Sequence, residues 1–165
     1  MKIGVISDTH LTTPSEELGR IIKTYFKDAN MILHAGDIVR IEVLKAFNGM
    51  DLQAVHGNMD SPEIKKKLPP KRVIRAGRFE IGLIHGWGQP IGMERKVRKE
   101  FEEVDCIVFG HTHCPTNRFI DEILFFNPGS LKNRWFDLGV SVGILDLNDK
   151  IKGRIIKVRQ SIIGR

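Results

Sequence analysis

The segment CIVFGHTHCP (106–115) runs four apolar residues into Gly110 and then into two histidines one residue apart. In an extended chain residues i and i+2 share a side, so His111 and His113 could converge on one point, or they could be two unrelated loop histidines. Asp8 and His10, in SDTH (7–10), have the same spacing. Three more apolar runs end in similar chemistry: MILHAGD in Gly36-Asp37, LQAVHGN in Gly57-Asn58, and GLIHG in His85-Gly86. The seven donors Asp8, His10, Asp37, Asn58, His85, His111 and His113 therefore fall at five candidate strand ends, where open α/β sheets bind ligands. Taken singly, each has an ordinary explanation. A lone histidine is most often hydrogen-bonded structure, Asp37 suits a helix N-cap, and Asn58 suits a turn. Recurrence at five strand ends is what those explanations leave out, and it predicts a metal site. Imidazole and oxygen donors without thiolate suit Mn2+, Fe2+, Co2+, Ni2+ or Zn2+ over Ca2+.

The elements that must position these residues are legible as patterns. KIGVIS (2–7) has strand length. In TPSE (13–16), Thr13 is expected as N-cap, Pro14 as first helical residue and Glu16 as the closing member of a capping box. Leu18, Ile21, Ile22 and Tyr25 follow at helical spacing. Strands are expected at 31–37 and 52–58, with a helix over 40–48 between them, giving parallel βαβ units. The second half reads as two strands about a turn near Ala76-Gly77, a helix over 92–104, and strands at 105–111, 122–127, 139–147 and 153–158. Mixed, strand-rich material after βαβ units predicts an α/β fold. Its expected form is a four-layer α-β-β-α sandwich, two mixed sheets packed face to face with helices outside, in one domain over residues 1–165.

Bulk properties narrow the class. The chain has 165 residues, 41% hydrophobic and 28% charged, the composition of an ordinary folded domain. The first apolar run, Ile3 to Ile6, is too short for a signal sequence, and no run approaches the roughly 20 apolar residues of a membrane span. A cytoplasmic location and no membrane partner are expected. Cys106 and Cys114 form neither a disulfide framework nor a CxxC pair. The net charge of +6 suits an anionic partner. The basic segments 65–72 and 150–165 carry no interleaved aromatics, however, and a base-stacking platform needs them. Nucleic acid is a candidate partner but not the favoured one. A homo-oligomer is compatible with the sequence.

At these residues the chain resembles the calcineurin-like metallophosphoesterase superfamily. Its pattern of D-x-H, G-D, G-N-x-[DE], a lone H and G-H-x-H is matched in order by Asp8-Thr9-His10, Gly36-Asp37, Gly57-Asn58-Met59-Asp60, His85 and Gly110-His111-Thr112-His113. HTHCP followed by NPGS (127–130) is similar to the small prokaryotic phosphodiesterase subgroup. The resemblance implies two divalent transition metal ions, Mn2+ first among them, with Ni2+, Co2+, Fe2+ or Zn2+ as alternatives. Asp8, His10, Asp37 and His113 would hold one ion, Asp37, Asn58, His85 and His111 the other, with Asp37 bridging. It also implies phosphodiester hydrolysis by a metal-bridging hydroxide on a small phosphodiester substrate. Competing functions are a protein-interaction scaffold, the role of a eukaryotic retromer subunit of this fold, and a nuclease acting on nucleic-acid ends.

Met59 departs from the pattern. Many relatives place there a histidine thought to protonate the leaving oxygen, and a thioether has no proton to give. General acid help is typically worth about 10²–10⁴-fold, so its loss should hurt alkoxide leaving groups most. Asn58, His111 and His56 are the residues expected to take part in catalysis, His56 by approaching a phosphate oxygen or the leaving group. His34 reads as structural, and Asp60 as a support. Asn127 and Ser130 are expected to shape a loop at the rim, and Trp87 to wall a pocket or pack at its edge.

Overall fold

A computed structural model describes residues 1–132 and 139–163. β1 (Lys2–Ile6), β2 (Met31–His34), β3 (Leu52–Ala54), β9 (Ser141–Leu147) and β10 (Ile151–Lys157) form one sheet, in the order β10-β9-β1-β2-β3. β4 (Lys71–Ala76), β5 (Phe79–Ile84), β6 (Cys106–Val108), β7 (Thr116–Ile120) and β8 (Ile123–Asn127) form the other, in the order β4-β5-β6-β8-β7. β1, β2 and β3 are parallel, as are β5, β6 and β8, while β9 pairs antiparallel with β1 and β10, β4 with β5, and β7 with β8. Both sheets are thus mixed, as the sequence predicts.

Alternation along the strands builds the layers. Ile3 and Val5 join Leu33, Ile81, Leu83, Val108 and Phe126 in an apolar layer between the sheets. Ile6 and Ile32 face the other way, onto Leu18, Ile21 and Ile22 of α1 (Glu16–Tyr25) and Val43 of a 3₁₀ helix (Ile41–Phe47). Ile107 and Phe125 face Met93 and Val97 of α3 (Met93–Arg98). Each fully buried Ile, Leu or Phe contributes about 1.5–3 kcal/mol, so both outer helical layers are held chiefly by this burial.

Four local expectations change. The N-cap of α1 is Ser15, whose Oγ accepts the Leu18 N–H at 3.1 Å. Thr13 and Pro14 lie before it, so Pro14 is not the first helical residue and no capping box forms. The segment 41–47 is a 3₁₀ helix, not an α-helix. The helix predicted over 92–104 stops at Arg98, because the chain must return to β6, where the Asp105 carboxylate accepts the Glu80 N–H at 2.7 Å. β7 was not expected; as an edge strand it shows no apolar alternation, with four of its five residues exposed. Two short helices join the set, α2 (Pro62–Lys67), capped by Ser61, and α4 (Gln160–Ile163).

Of the basic tail, Gly164 and Arg165 lie outside the described residues. Lys152, Arg154 and Lys157 are exposed on the edge strand β10, where charge discourages pairing with another sheet. Among the described residues no helix is long and apolar enough to cross a membrane.

Candidate metal centre

β1, β2, β5 and β6 end on one side of the sandwich, and the segments that leave them carry six of the seven predicted donors; the seventh, Asn58, follows β3. The backbone there is not extended. Asp8, His10, Asp37, His111 and His113 all have φ between 47° and 66°, a region that costs an L-residue on the order of 1 kcal/mol or more. Such strain persists only where surrounding contacts enforce it.

His111 and His113 are therefore not the extended pair that would share one side. β6 ends at Val108, and the two rings turn to different neighbours. His113 Nε2 lies 3.3 Å from His10 Nε2 and 3.2 Å from Asp8 Oδ1. His111 Nδ1 lies 2.9 Å from Asn58 Oδ1, which in turn is 3.2 Å from His85 Nε2. Asp37 Oδ2 stands between the two groups, 3.8 Å from His10 Nε2 and 3.4 Å from His85 Nε2. Donor atoms of Asp8, His10 and His113 lie within 4.8 Å of one another, as do those of Asp8, Asp37 and His85. Asp8 thus belongs to both triads. All seven predicted donors meet in one patch.

Two observations test whether these residues fit cations. First, Asp8 Oδ2 accepts from Ser7 Oγ at 2.5 Å and from the His111 N–H at 3.1 Å. Its other oxygen, Oδ1, is buried without a hydrogen-bond partner among the described residues. Second, carbonyl oxygens accept only, so the ring nitrogens facing them must carry the protons. His85 Nδ1 faces Ala35 O at 2.7 Å, and His111 Nε2 faces Gly88 O at 2.7 Å. In the neutral rings His85 Nε2 and His111 Nδ1 are then bare lone pairs, aimed at the oxygens of Asn58 and Asp37. Lone pairs facing lone pairs repel unless something positive lies among them. The donor set fits divalent ions.

Protonation follows the same field. Burial lowers the pKa of His10 against the pull of Asp37 and Asp8. Burial also acts to lower that of His85, but the Asp37 and Asp8 carboxylates and the Ala35 carbonyl together outweigh it and the pKa rises. Asp8 raises that of His113. Burial acts to raise the pKa of Asp37, and His85 together with the Met59 N–H brings it below the usual range. Protons and cations would compete for the same nitrogens.

Residues around the donors hold the strained loops. Asp60, buried and not among the donors, accepts three backbone N–H groups: Gly57 at 2.7 Å, Asp37 at 3.1 Å and Val39 at 2.5 Å. Asn127 Nδ2 donates to Gly110 O at 2.9 Å, and Ser130 Oγ donates to Asp8 O at 3.0 Å. NPGS is therefore a clamp on two donor loops, more than a rim turn. His34 is fully buried and held neutral, its pKa pushed down to about 3 by burial; its Nε2 meets Thr9 Oγ1 at 3.3 Å, a structural role. Gly110 is required by close approach, since a Cβ there would stand 2.0 Å from Ser7 Oγ. Ser7 went unremarked in the sequence, and only its contact with Asp8 reveals it.

A cleft of about 580 Å³ adjoins Asn58 and His85 and is lined also by His56, Lys65, Lys71 and Trp87. Among the described residues His56 Nδ1 is buried without a hydrogen-bond partner, so a bare nitrogen there and an N–H at Nε2 form the cheaper tautomer. Met59 lies at the surface, 59% exposed, its N–H donating to Asp37 Oδ1 at 2.8 Å.

Comparison with known proteins agrees with this chemistry. A family model for the calcineurin-like phosphoesterase superfamily domain matches residues 1–150. A probable metallophosphoesterase of Methanocaldococcus jannaschii is 36% identical over 167 residues, covering 97% of this chain and 83% of its own. A phosphodiesterase of the same organism is 28% identical over 166 residues, covering 91% and 95%. The zinc complex of Vps29 from Entamoeba histolytica has the same fold, with a TM-score of 0.70 at 23% identity over 94% of this chain and 98% of that one. With the family model spanning nearly the whole chain and the archaeal relative aligned along it, this protein belongs to the calcineurin-like phosphoesterase superfamily.

Proposed function

We propose that the protein is a metal-dependent phosphodiesterase acting on small phosphate diesters through two divalent cations, Mn2+ first among the candidates, in the cytoplasm. Asp8, His10, Asp37 and His113 would hold one ion, and Asp37, Asn58, His85 and His111 the other. The observation that carries this reading is the convergence of imidazole, carboxylate and amide donors on one patch, with Asp8 Oδ1 buried and, among the described residues, without a hydrogen-bond partner. When bound, two such ions lower the pKa of water toward neutrality and offset negative charge growing at phosphorus.

The chain's own residues do the rest. Ser7 is fully buried and its Oγ donates to Asp8 Oδ2, so that hydroxyl is not offered as a nucleophile. Asn58 and His56 line the cleft, where His56 Nε2–H donates to a substrate oxygen. His111 is oriented by Gly88 O at 2.7 Å, and with Asn58 it fixes the side of the centre that meets the cleft. Met59 donates no proton, so leaving groups that depart as stable anions are favoured, phenolates over alkoxides.

A protein-interaction scaffold is the second reading, favoured by the likeness to Vps29. All seven candidate donors are nonetheless present in this sequence, which a pure scaffold does not require. The test is hydrolysis of bis-p-nitrophenyl phosphate by protein stripped of metal and reloaded with Mn2+ or Ni2+, with bound metal counted by mass spectrometry. Turnover that needs about two ions per chain and stops with EDTA is expected. Metal-loaded protein without diesterase activity refutes the enzyme and leaves the scaffold.

A further inference from the structure

The cleft beside the centre carries more chemistry than a bare diester needs. Trp87 stands two residues after His85, 45% exposed, on a wall of the cleft. Its loop is fixed at both sides. Lys96 Nζ donates to Gln89 O at 2.7 Å, and Gly88 O accepts from His111 Nε2 at 2.7 Å. The loop that carries Trp87 is thus held by the same ring whose other nitrogen faces Asn58. On the α2 side, Lys65 Nζ donates to Asn58 O at 3.0 Å, which holds a cation beside a predicted ligand. Lys71 and Glu100 line the same cleft as an ion pair, with Nζ 2.8 Å from Oε2.

These groups divide the labour of nucleotide recognition. An exposed indole offers a face on which a planar base stacks. A paired carboxylate and ammonium offer an acceptor and donors to the polar edge of that base. A lysine beside the centre offers charge to the phosphoryl oxygens. The volume, about 580 Å³, falls within the range of pockets that take molecules of nucleotide size. We propose that the substrate is a small nucleotide diester whose base stacks on Trp87 in this cleft, Lys71 and Glu100 meeting the base edge and Lys65 the phosphate. The proposal rests on the phosphodiesterase reading and specifies its substrate class.

The test compares two esters with one leaving group, the p-nitrophenyl ester of thymidine 5′-phosphate and methyl p-nitrophenyl phosphate, with Mn2+-loaded protein. The wild type is expected to favour the nucleotide ester at least ~10-fold in kcat/KM. Trp87→Ala should cut that ester by about 5- to 150-fold, mainly through KM, the loss typical of one base stacked on an aromatic ring. The methyl ester should change less than about twofold, and Glu100→Gln should alter the preference between adenosine and thymidine esters. Equal losses on both esters, or no nucleotide preference, overturn the proposal. If neither ester is cleaved, the phosphodiesterase reading fails, and calorimetric titration with adenosine 5′-monophosphate judges the cleft separately. Binding that weakens in Trp87→Ala upholds the cleft as a nucleotide site; no binding overturns it.

Discussion

Asp60 offers the sharpest test of how the centre is held, because it shapes the loops without being one of the donors. Its Oδ2 accepts N–H groups from Gly57 and Asp37, and its Oδ1 accepts that of Val39. The side chain is buried, so no bulk water stands ready to replace it. Asp60→Asn can keep its amide oxygen toward Gly57 and Asp37, which turns its NH2 donor against the Val39 N–H. One buried donor then loses its acceptor, a cost of about 1–3 kcal/mol. Asp60→Ala strands all three, about 3–6 kcal/mol after partial entry of water, a large share of a typical total of about 5–15 kcal/mol. Urea unfolding of metal-free protein measures both. Because Asp60 spans the loops bearing Asp37 and Asn58, Asp60→Asn should also weaken Mn2+ binding about 10- to 100-fold, as loss of a ligand's supporting partner commonly does. Unfolding free energy within about 0.5 kcal/mol of wild type, with unchanged Mn2+ affinity, would refute the claim that this carboxylate holds the centre together.

Gly110→Ala places a Cβ 2.0 Å from Ser7 Oγ and 2.7 Å from Asp8 Oδ2; circular dichroism melts should show a lower Tm and no further rise on adding Mn2+. Chelation should lower the Tm of loaded protein. Ion present at about 1,000 times its Kd contributes about 4 kcal/mol, or roughly 8–16 °C for a chain of this size, and a melt unchanged by EDTA would contradict a built site. Acid stability should carry the mark of His34. The folded state keeps it neutral down to about pH 3 while the unfolded chain takes a proton near 6.5, so the unfolded state binds more protons between those values. Stability therefore falls as pH drops through that window, by up to about 1.4 kcal/mol per pH unit. Urea titrations of metal-free His34→Gln at pH 6 and pH 5 should show a slope shallower by that amount, and an equal slope would disprove it.

Much of the site was legible because its chemistry is local. D-x-H, G-D, G-N-x-D and G-H-x-H each place donors within a few residues, and the apolar runs before them announce strands. The partition of the histidines was not legible from spacing. An extended i, i+2 pair predicts that His111 and His113 point together, whereas left-handed backbone at both sends one to His85 and Asn58 and the other to His10 and Asp8. The cap of α1 escaped for a similar reason: Thr13 and Ser15 are both good caps, and only the backbone shows which one reaches an orphan N–H. β7 escaped because an edge strand in solvent needs no alternation of apolar residues.

The sequence alone determined the kinds of group at the centre, the strands that carry them and the layered α/β architecture, because residue type and apolar periodicity act over a few neighbours. Tertiary structure decided which donors share a neighbourhood and which oxygens and nitrogens are already engaged. It also decided what the clamps Asp60, Asn127 and Ser130 hold. Those facts rest largely on contacts between residues far apart in the chain, such as Ser130 with Asp8, 122 positions away, and they exist only once both sheets have packed and left Asp8 Oδ1 in the interior.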